Sequence, residues 1–253
     1  MLAPDIIALA LAHQFRSLRL EDRQVLTNHL TSLPSTIEEA VEVQRQLSKL
    51  EGADVPAWKV AKSPDGRPVV APLYPYLDEP SDAPVAWRKG MKIEVEIAVS
   101  LDKDLPVQTD RAYERSDIEA AVSEVYLGAE LVWSGIAEGG SVSFLAFLAD
   151  RLGNAGYVRG PALPLAILQP GSNIPLKLWL NKQVAFDNAA QHPTKDVLTW
   201  LCEYANDRSR PASSLKAGAV ITTGSLCGAV DVHDPSQVSI QLGEYAALKF
   251  LLS

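Results

Sequence analysis

The segment from Lys92 to Leu101 constrains the fold most, because polar and apolar residues alternate along it. Its aliphatic positions are Ile93, Val95, Ile97 and Val99. Successive side chains of a strand point to opposite faces of a sheet, so this period of two predicts a β-strand with one face against a core. Glu94 and Glu96 then lie side by side on the other face.

These paired carboxylates carry a chemical implication. Like charges at such spacing repel, unless a cation lies between them or one carboxylate is protonated. A cation is one interpretation, because Mg²⁺ and Mn²⁺ prefer carboxylate oxygens as ligands. The alternative interpretation is that both glutamates lie on an ordinary strand face exposed to solvent. Glu130 favours the cation, because it interrupts the apolar segment 128–132, where a lone buried charge is costly. Its own alternative is a strand end that reaches solvent. The sequence therefore predicts a site for Mg²⁺ or Mn²⁺ at Glu94, Glu96 and Glu130.

Two further places offer polar groups. Lys59 follows Trp58 within an apolar strand, where it either faces a carboxylate-bearing substrate, moves a proton, or reaches solvent as a surface lysine. The segment 222–225 supplies hydroxyls and a glycine at a turn, which suits substrate binding or a plain turn.

The chain reads as helical at first and as a mixed sheet afterwards. Helices are predicted over 6–15, 36–50, 116–126 and 194–206, with a capping box at Thr36 and Glu39, a stop at Gly52, and Ser116 as a second N-cap. Strands are predicted over 58–61, 92–101, 127–133, 218–223, 237–242 and 245–252, with a hairpin over 174–186 that turns at Asn181. The proline-rich segment 64–84 is predicted to be an ordered, irregular loop.

Composition excludes several classes of function. The 253 residues carry a net charge of −8, which disfavours both nucleic acid and anionic membranes as partners. No stretch reaches the length of a membrane span, and the start has no basic leader, so we expect a cytoplasmic protein. The two cysteines form no zinc motif, and no GxSxG, phosphate-binding or dinucleotide-binding motif is present.

The order of these pieces resembles the branch of the fumarylacetoacetate hydrolase superfamily that contains 2-oxopent-4-enoate hydratase and 4-oxalocrotonate decarboxylase. The resemblance covers nearly the whole chain. The matching segments are 58–60, 94–98, 129–131, 150–160, 193–201, 215–218 and 222–226, in that order.

The resemblance implies an α+β fold, in which a helical N-terminal part (1–56) leads into a metal-binding mixed β-roll (57–253) of the fumarylacetoacetate hydrolase C-terminal-domain type. It implies Mg²⁺ or Mn²⁺ at Glu94, Glu96 and Glu130, and Lys59 as the catalytic residue. The residues implied to bind substrate are Ser134, Thr223, Gly224 and Ser225.

The activity implied is that of a hydratase acting on a small 2-hydroxy-dienoate or 2-oxo acid in aromatic catabolism. Three alternatives stay open: a 4-oxalocrotonate-like decarboxylase, a C–C hydrolase or tautomerase of the same superfamily, and a non-catalytic partner subunit. A homo-oligomer is also expected, as is a complex with a pathway enzyme.

The chain departs from the family pattern around the metal motifs. Trp58 and Ala61 stand where the family has glycines beside the lysine, and the segment 71–76 lacks the family's acidic residue. Segment 133–135 replaces an Asp-Ser-Arg type run, and Arg151 follows Asp150 where the family has asparagine. These differences concern groups around the substrate, so the exact substrate stays open.

Overall fold

The computed structural model describes residues 4–53, 55, 57–78, 84–138, 142–171 and 173–253. The helices are α1 (Pro4–Leu20), α2 (Ile37–Glu51), α3 (Arg115–Glu119), α4 (Phe144–Ala149) and α5 (Thr199–Ala205). The strands are β1 (Ala57–Lys62), β2 (Pro68–Leu73), β3 (Tyr76–Asp78), β4 (Lys92–Leu101), β5 (Val122–Val132), β6 (Asn154–Leu163), β7 (Pro175–Leu180), β8 (Gln183–Ala189), β9 (Val220–Ser225), β10 (Val230–Asp231), β11 (Gln237–Leu242) and β12 (Ala246–Leu251).

The N-terminal helices form where the sequence predicts them. Thr36 caps α2 by accepting a hydrogen bond from the Glu39 N–H at 3.2 Å, and Gly52 ends the helix at φ +59°. The Glu39 carboxylate accepts its 2.7 Å hydrogen bond from the Ser35 N–H, one residue before the N-cap. Apolar faces of α1, α2 and α4 share one core, so the helical layer includes a later segment of the chain.

Eight strands form a mixed sheet in the order β2-β1-β9-β4-β5-β6-β3, with β10 paired to β4. β2 and β3 lie at opposite ends of this order, yet only Tyr74 and Pro75 join them. The three Cα–Cα steps from Leu73 to Tyr76 span roughly 11 Å at most, so the two edges must lie close together. The Tyr74 N–H donates to Asn154 Oδ1 and the Tyr157 N–H donates to the Pro75 carbonyl, which closes the sheet into the predicted roll.

A second sheet covers the outside of the roll. It runs in the order β12-β11-β7-β8, and its apolar side chains pack with Ile93, Val95, Ile97 and Val99 in the main core. The predicted hairpin turns at Asn181, which takes φ +55°. The aliphatic face of β4 therefore points outward to this core, and Glu94 and Glu96 point into the roll.

Three predictions of local structure were wrong. Segment 64–84 is not an irregular loop, because it contains β2 and β3. Pro72 is tolerated in β2 because β2 is an edge strand. Residues 79–83 of the segment lie outside the described part of the chain. The helix predicted over 116–126 ends at Glu119, with Glu114 and not Ser116 as its N-cap, because residues 122–132 pair with β4.

The third error concerns length. The helix predicted over 194–206 is shortened to α5, because the Asp196 carboxylate caps a turn before it by accepting from the Leu198 N–H at 3.0 Å. Within the described residues, no helix is long and apolar enough to cross a bilayer.

Candidate metal centre

The structure brings Glu94, Glu96 and Glu130 together inside the roll. Glu94 pairs directly with Glu130 across β4 and β5, and Glu96 is two residues further along the same face. Each glutamate offers a carboxylate oxygen, and the three oxygens lie within 4.8 Å of one another. Glu96 and Glu130 are buried, and Glu94 is partly exposed. One edge of the cluster is therefore open.

Lys59 reaches this cluster across the interior of the roll. Its Nζ atom donates to Glu130 Oε1 at 2.7 Å, although three strand spacings separate β1 from β5. Those spacings amount to about 14 Å in a flat sheet. Curling of the sheet shortens this distance, and Ala57 and Ala98 contribute only small side chains to the interior of the roll. Tertiary curvature thus makes the ion pair.

Asn154 is a second donor to Glu130. Its Nδ2 atom donates to Glu130 Oε1 at 3.1 Å, while its Oδ1 atom accepts from the Tyr74 N–H. Lys59 and Asn154 therefore occupy the same carboxylate oxygen. The other oxygen, Glu130 Oε2, is buried and has no hydrogen-bond partner among the described residues, and the same holds for Glu96 Oε2.

The electrostatics of the cluster are unbalanced. Burial raises the pKa of Glu96 well above its ordinary value, and the charge of Glu130 raises it further. Burial by itself lowers the pKa of Lys59, but the charges of Glu130, Glu94 and Glu96 outweigh it, so the net pKa is raised and the ammonium keeps its proton. When all three carboxylates are ionised, they exceed the one ammonium by two negative charges, and the raised pKa of Glu96 is in part the response to that excess.

This donor set fits a hard divalent cation. Two unpartnered, buried carboxylate oxygens and up to two uncompensated negative charges suit Mg²⁺ or Mn²⁺, which take oxygen ligands. Lys59 and Asn154 hold one oxygen of Glu130 and leave the other for the ion. The partly exposed Glu94 marks the side from which an ion and a small acid can enter.

Tyr157 lies beside the cluster and was not singled out by the sequence. It pairs with Glu130 in the ladder between β5 and β6, and its hydroxyl lies over Gly128, the residue opposite Glu96. A Cβ atom at Gly128 would come within 1.9 Å of that hydroxyl, so only glycine leaves the space. Burial, followed by the charge of Glu96, raises the pKa of Tyr157 well above its ordinary value. A glycine in a strand was the only sequence signal for this close approach.

The wall beside Tyr157 is aromatic and apolar. Tyr76 stacks on Tyr157 with ring centroids 5.8 Å apart and an angle of 6° between the planes. The other side chains of this inner cluster are Ala57, Leu73, Ala98, Tyr126 and Val220. Such a lining excludes water from one side of the carboxylates.

The hydroxyl of Ser134 points elsewhere. It donates to Asp150 Oδ2 at 2.7 Å, and Asp150 is in turn bound by Arg19 of α1 at 2.6 Å. Arg19 also donates to the Asn154 carbonyl at 2.8 Å. Ser134 thus belongs to a buried network that anchors α1 and the start of β6, and through Asn154 this network supports Glu130.

The segment 222–225 divides between the two faces of the sheet. Thr222 pairs with Lys59 and Ala98 in the ladders and lies close enough to Glu96 to lower its pKa against the larger effect of burial. Thr223 donates instead to the Ile97 carbonyl at 2.9 Å, away from the glutamates. Thr222, rather than Thr223, is therefore the threonine of the cluster.

Gly224 and Ser225 complete this turn. Gly224 has φ +112°, and a Cβ there would meet Trp200 at 2.7 Å and His192 at 2.8 Å. Ser225 pairs with Glu96 in the ladder, but its hydroxyl donates to the Gly228 carbonyl at 2.9 Å. Both residues shape the strand beside Glu96, and neither aims a free side-chain group at it.

A cavity of about 290 Å³ lies on the outer side of the sheet. Ile97, Leu226 and Leu242 line it together with His192, whose Nε2 donates to the Thr223 carbonyl at 2.7 Å. Its lining residues include neither Lys59 nor any of the three glutamates. The other three histidines, His13, His29 and His233, are exposed. Among the described residues, the side chains close enough together to bind a metal are the three glutamates, without a histidine.

Comparison with known proteins gave matches among solved structures only: no family model and no curated protein matches the chain. 4-Oxalocrotonate decarboxylase from Pseudomonas putida G7, complexed with magnesium and adipate, is 18% identical with a TM-score of 0.75. The match covers 100% of this chain and 99% of that one. The same enzyme complexed with calcium and acetate gives a TM-score of 0.76 over the same coverage.

Fumarylpyruvate hydrolase from Pseudomonas aeruginosa, in complex with Mn²⁺ and pyruvate, is more distant. It is 13% identical with a TM-score of 0.54, over 78% of this chain and 88% of that one. At these identities the likeness concerns the fold. It confirms the predicted mixed roll of the fumarylacetoacetate hydrolase type, and the two decarboxylase structures match along the whole chain, including the helical N-terminal part.

Proposed function

We propose that this chain is a divalent-metal-dependent lyase acting on a small 2-oxo acid, with decarboxylation of a 4-oxalocrotonate-like acid as its reaction. The observation that carries the proposal is the buried cluster of Glu94, Glu96 and Glu130, with two carboxylate oxygens left without partners beside a protonated lysine. The match along the whole chain to a decarboxylase structure complexed with magnesium supports it.

Glu94, Glu96 and Glu130 would hold the ion, through oxygens that lie within 4.8 Å of one another. When bound, Mg²⁺ or Mn²⁺ supplies Lewis-acid stabilisation of the negative charge that develops on the 2-oxygen of the acid. Lys59 and Asn154 keep Glu130 in place by binding its other oxygen. The site thus pre-positions its acidic groups before any substrate arrives.

Lys59 also has a role of its own. Its ammonium retains its proton because the surrounding carboxylates raise its pKa. Lys59 is thus the positively charged side chain that lies against the three glutamates. In this position it balances charge on an incoming carboxylate, and it can return a proton to the dienolate that remains when CO₂ leaves. Its tether to Glu130 fixes that proton inside the roll.

The apolar lining of the roll favours decarboxylation. Hydration was the activity that the sequence resemblance implied. Loss of CO₂ sends an electron pair through the conjugated chain to the 2-oxygen and needs no water. Ala57, Leu73, Tyr126 and Tyr157 surround the inner face, and a poorly solvated carboxylate loses CO₂ more readily. The C–C hydrolase alternative is weaker, because the described cluster holds no histidine to pair with a glutamate and activate water.

Hydration of a 2-hydroxy-dienoate is the second candidate. The protonated Lys59 favours it, since a dienol must first gain a proton at its far carbon before water adds. The same stabilised 2-oxygen serves both reactions, so the products have to distinguish them.

The test is turnover of 4-oxalocrotonate and of 2-hydroxypenta-2,4-dienoate with Mg²⁺, with Mn²⁺ and after chelation. Stoichiometric CO₂ release that needs the metal supports the decarboxylase, and metal-dependent loss of the dienoate absorbance without CO₂ supports the hydratase. We expect Glu130→Gln to lower kcat by roughly 100-fold or more. The matched control Glu244→Gln, in the exposed turn between β11 and β12, should keep it.

Absence of turnover on both acids, by a protein that binds Mn²⁺, would contradict the lyase and favour the non-catalytic partner subunit. We also propose that the chain forms a homo-oligomer, which light scattering on the purified protein tests directly.

A further inference from the structure

The Tyr157 hydroxyl is a buried donor with no acceptor. The side chain is fully buried, and its oxygen has no hydrogen-bond partner among the described residues. Buried polar groups are nearly always paired, because an unpaired one loses its bonds to water without compensation. A phenylalanine would fill the same space without that cost, so the hydroxyl requires an explanation.

Its surroundings point to the glutamate cluster. Tyr157 pairs with Glu130, and its hydroxyl lies over Gly128, which pairs with Glu96. Glu96 is the charged group with the largest effect on the Tyr157 hydroxyl. Four buried oxygen atoms without partners thus lie around the cluster: Glu96 Oε2, Glu130 Oε2, Thr222 Oγ1 and the Tyr157 hydroxyl.

These atoms differ in what they offer. The two carboxylate oxygens accept hydrogen bonds or bind a cation, whereas the phenol brings a proton to donate. The phenol bonds to neither glutamate, although both have a free oxygen nearby. Its acceptor is therefore a group that arrives with a ligand.

We propose that Tyr157 donates a hydrogen bond to an oxygen of the organic acid that binds at the glutamate cluster. The inference rests on the proposed function, and it assigns Tyr157 to binding of the acid rather than of the ion. The ligand class is a small oxoanion that presents adjacent carboxylate and carbonyl or carboxylate oxygens, such as a 2-oxo acid or oxalate. Gly128 serves this role by leaving room for the ring.

Tyr76 provides a matched control. It is stacked on Tyr157 and its hydroxyl also lacks a partner, but the charged groups that act on it are Arg159 and Asp78 rather than the glutamates. Tyr76→Phe and Tyr157→Phe therefore remove the same atom from adjacent rings, and only the second removes it beside the cluster.

The experiment is calorimetric titration of wild type and both variants, first with Mn²⁺ alone and then with oxalate on the Mn²⁺-loaded protein. For Tyr157→Phe we expect the Mn²⁺ Kd to stay within about twofold and the oxalate Kd to rise about tenfold, as for one hydrogen bond to a charged group. Tyr76→Phe should change neither value. Thermal unfolding of the metal-free proteins checks that both variants are folded.

The contrary outcomes separate cleanly. An unchanged oxalate Kd in Tyr157→Phe would overturn the inference and leave the lyase proposal intact. A weakened Mn²⁺ Kd with unchanged oxalate binding would overturn it too, by assigning the hydroxyl to the ion. A wild-type protein that binds no Mn²⁺ would remove the proposed function, and this inference with it.

Discussion

Replacing Glu96 with glutamine should make the metal-free protein more stable while weakening its hold on the metal. Glutamine keeps the shape of the side chain and removes its charge. Glu96 is buried between Glu94 and Glu130, whose carboxylate oxygens lie within 4.8 Å, and only Lys59 opposes them. The charge is therefore unfavourable in the folded state until a cation is bound.

The size of this effect follows from the distance. Two charges 4.8 Å apart interact by about 3.5 kcal/mol at an effective dielectric constant of roughly 20. Glu96 has two such neighbours, and the attraction of Lys59 offsets about one of them. Because Glu96 also escapes part of the repulsion by taking up a proton, we expect a gain of about 1–3 kcal/mol. For a chain of this size that raises Tm by between about 2 and 12 °C.

The assay is thermal unfolding of wild type, Glu96→Gln and Glu244→Gln, with a chelator and with excess Mn²⁺. At 1,000 times its Kd, Mn²⁺ should stabilise the wild type by about 4.1 kcal/mol and the Glu96→Gln variant by much less. The order of the two Tm values should therefore reverse when the metal is added. Glu244→Gln should follow the wild type in both conditions.

The pH dependence provides a second reading of the same charge. The pKa of Glu96 is raised in the folded state, so its contribution to stability is fully present below the ordinary glutamate range and is lost as pH rises through the folded pKa. The metal-free wild type should lose stability over that rise, and the Glu96→Gln variant should lose less. A variant whose metal-free Tm equals or falls below that of the wild type would refute the electrostatic reasoning.

Two further substitutions test the support of the site. Gly128→Ala places a Cβ 1.9 Å from the Tyr157 hydroxyl, so it should lower the free energy of unfolding by about 1–3 kcal/mol, as urea titration would measure; an unchanged midpoint would contradict this packing. Arg19→Met leaves the buried Asp150 without its cation and should lower the free energy of unfolding by about 3–5 kcal/mol, measured by the same titration; a loss below 1 kcal/mol would show that the pair is not needed.

Much of the site followed from local pattern. The alternation along β4 set Glu94 and Glu96 on one face, and the apolar surroundings of Glu130 marked it as a charge in need of a partner. Strand side chains alternate with a period of two whatever the rest of the chain does, so these positions depend on neighbouring residues alone. The cap at Thr36 and the stop at Gly52 were predictable for the same reason.

Where the secondary structure predicted from the local sequence conflicted with strand pairing in the sheet, the residues adopted the strand. Residues 122–126 follow a helical segment in the sequence, and a helix was predicted for them. They form backbone hydrogen bonds with β4 instead and become the first part of β5. The proline-rich segment contains β2 and β3 because each lies at an edge of the sheet, where a missing N–H is not required. Propensity is a weak preference, and burial of a whole sheet face outweighs it.

The sequence by itself therefore determined which acidic residues are candidates to bind a metal and which face of β4 carries Glu94 and Glu96. Only the tertiary structure decided which groups complete the site. Closure of the roll brings Lys59 and Asn154 onto one oxygen of Glu130 and Tyr157 over Gly128, across separations of 71, 24 and 29 residues. Such contacts depend on how far a sheet curls, which is set by packing over its whole area and not by any short run of residues.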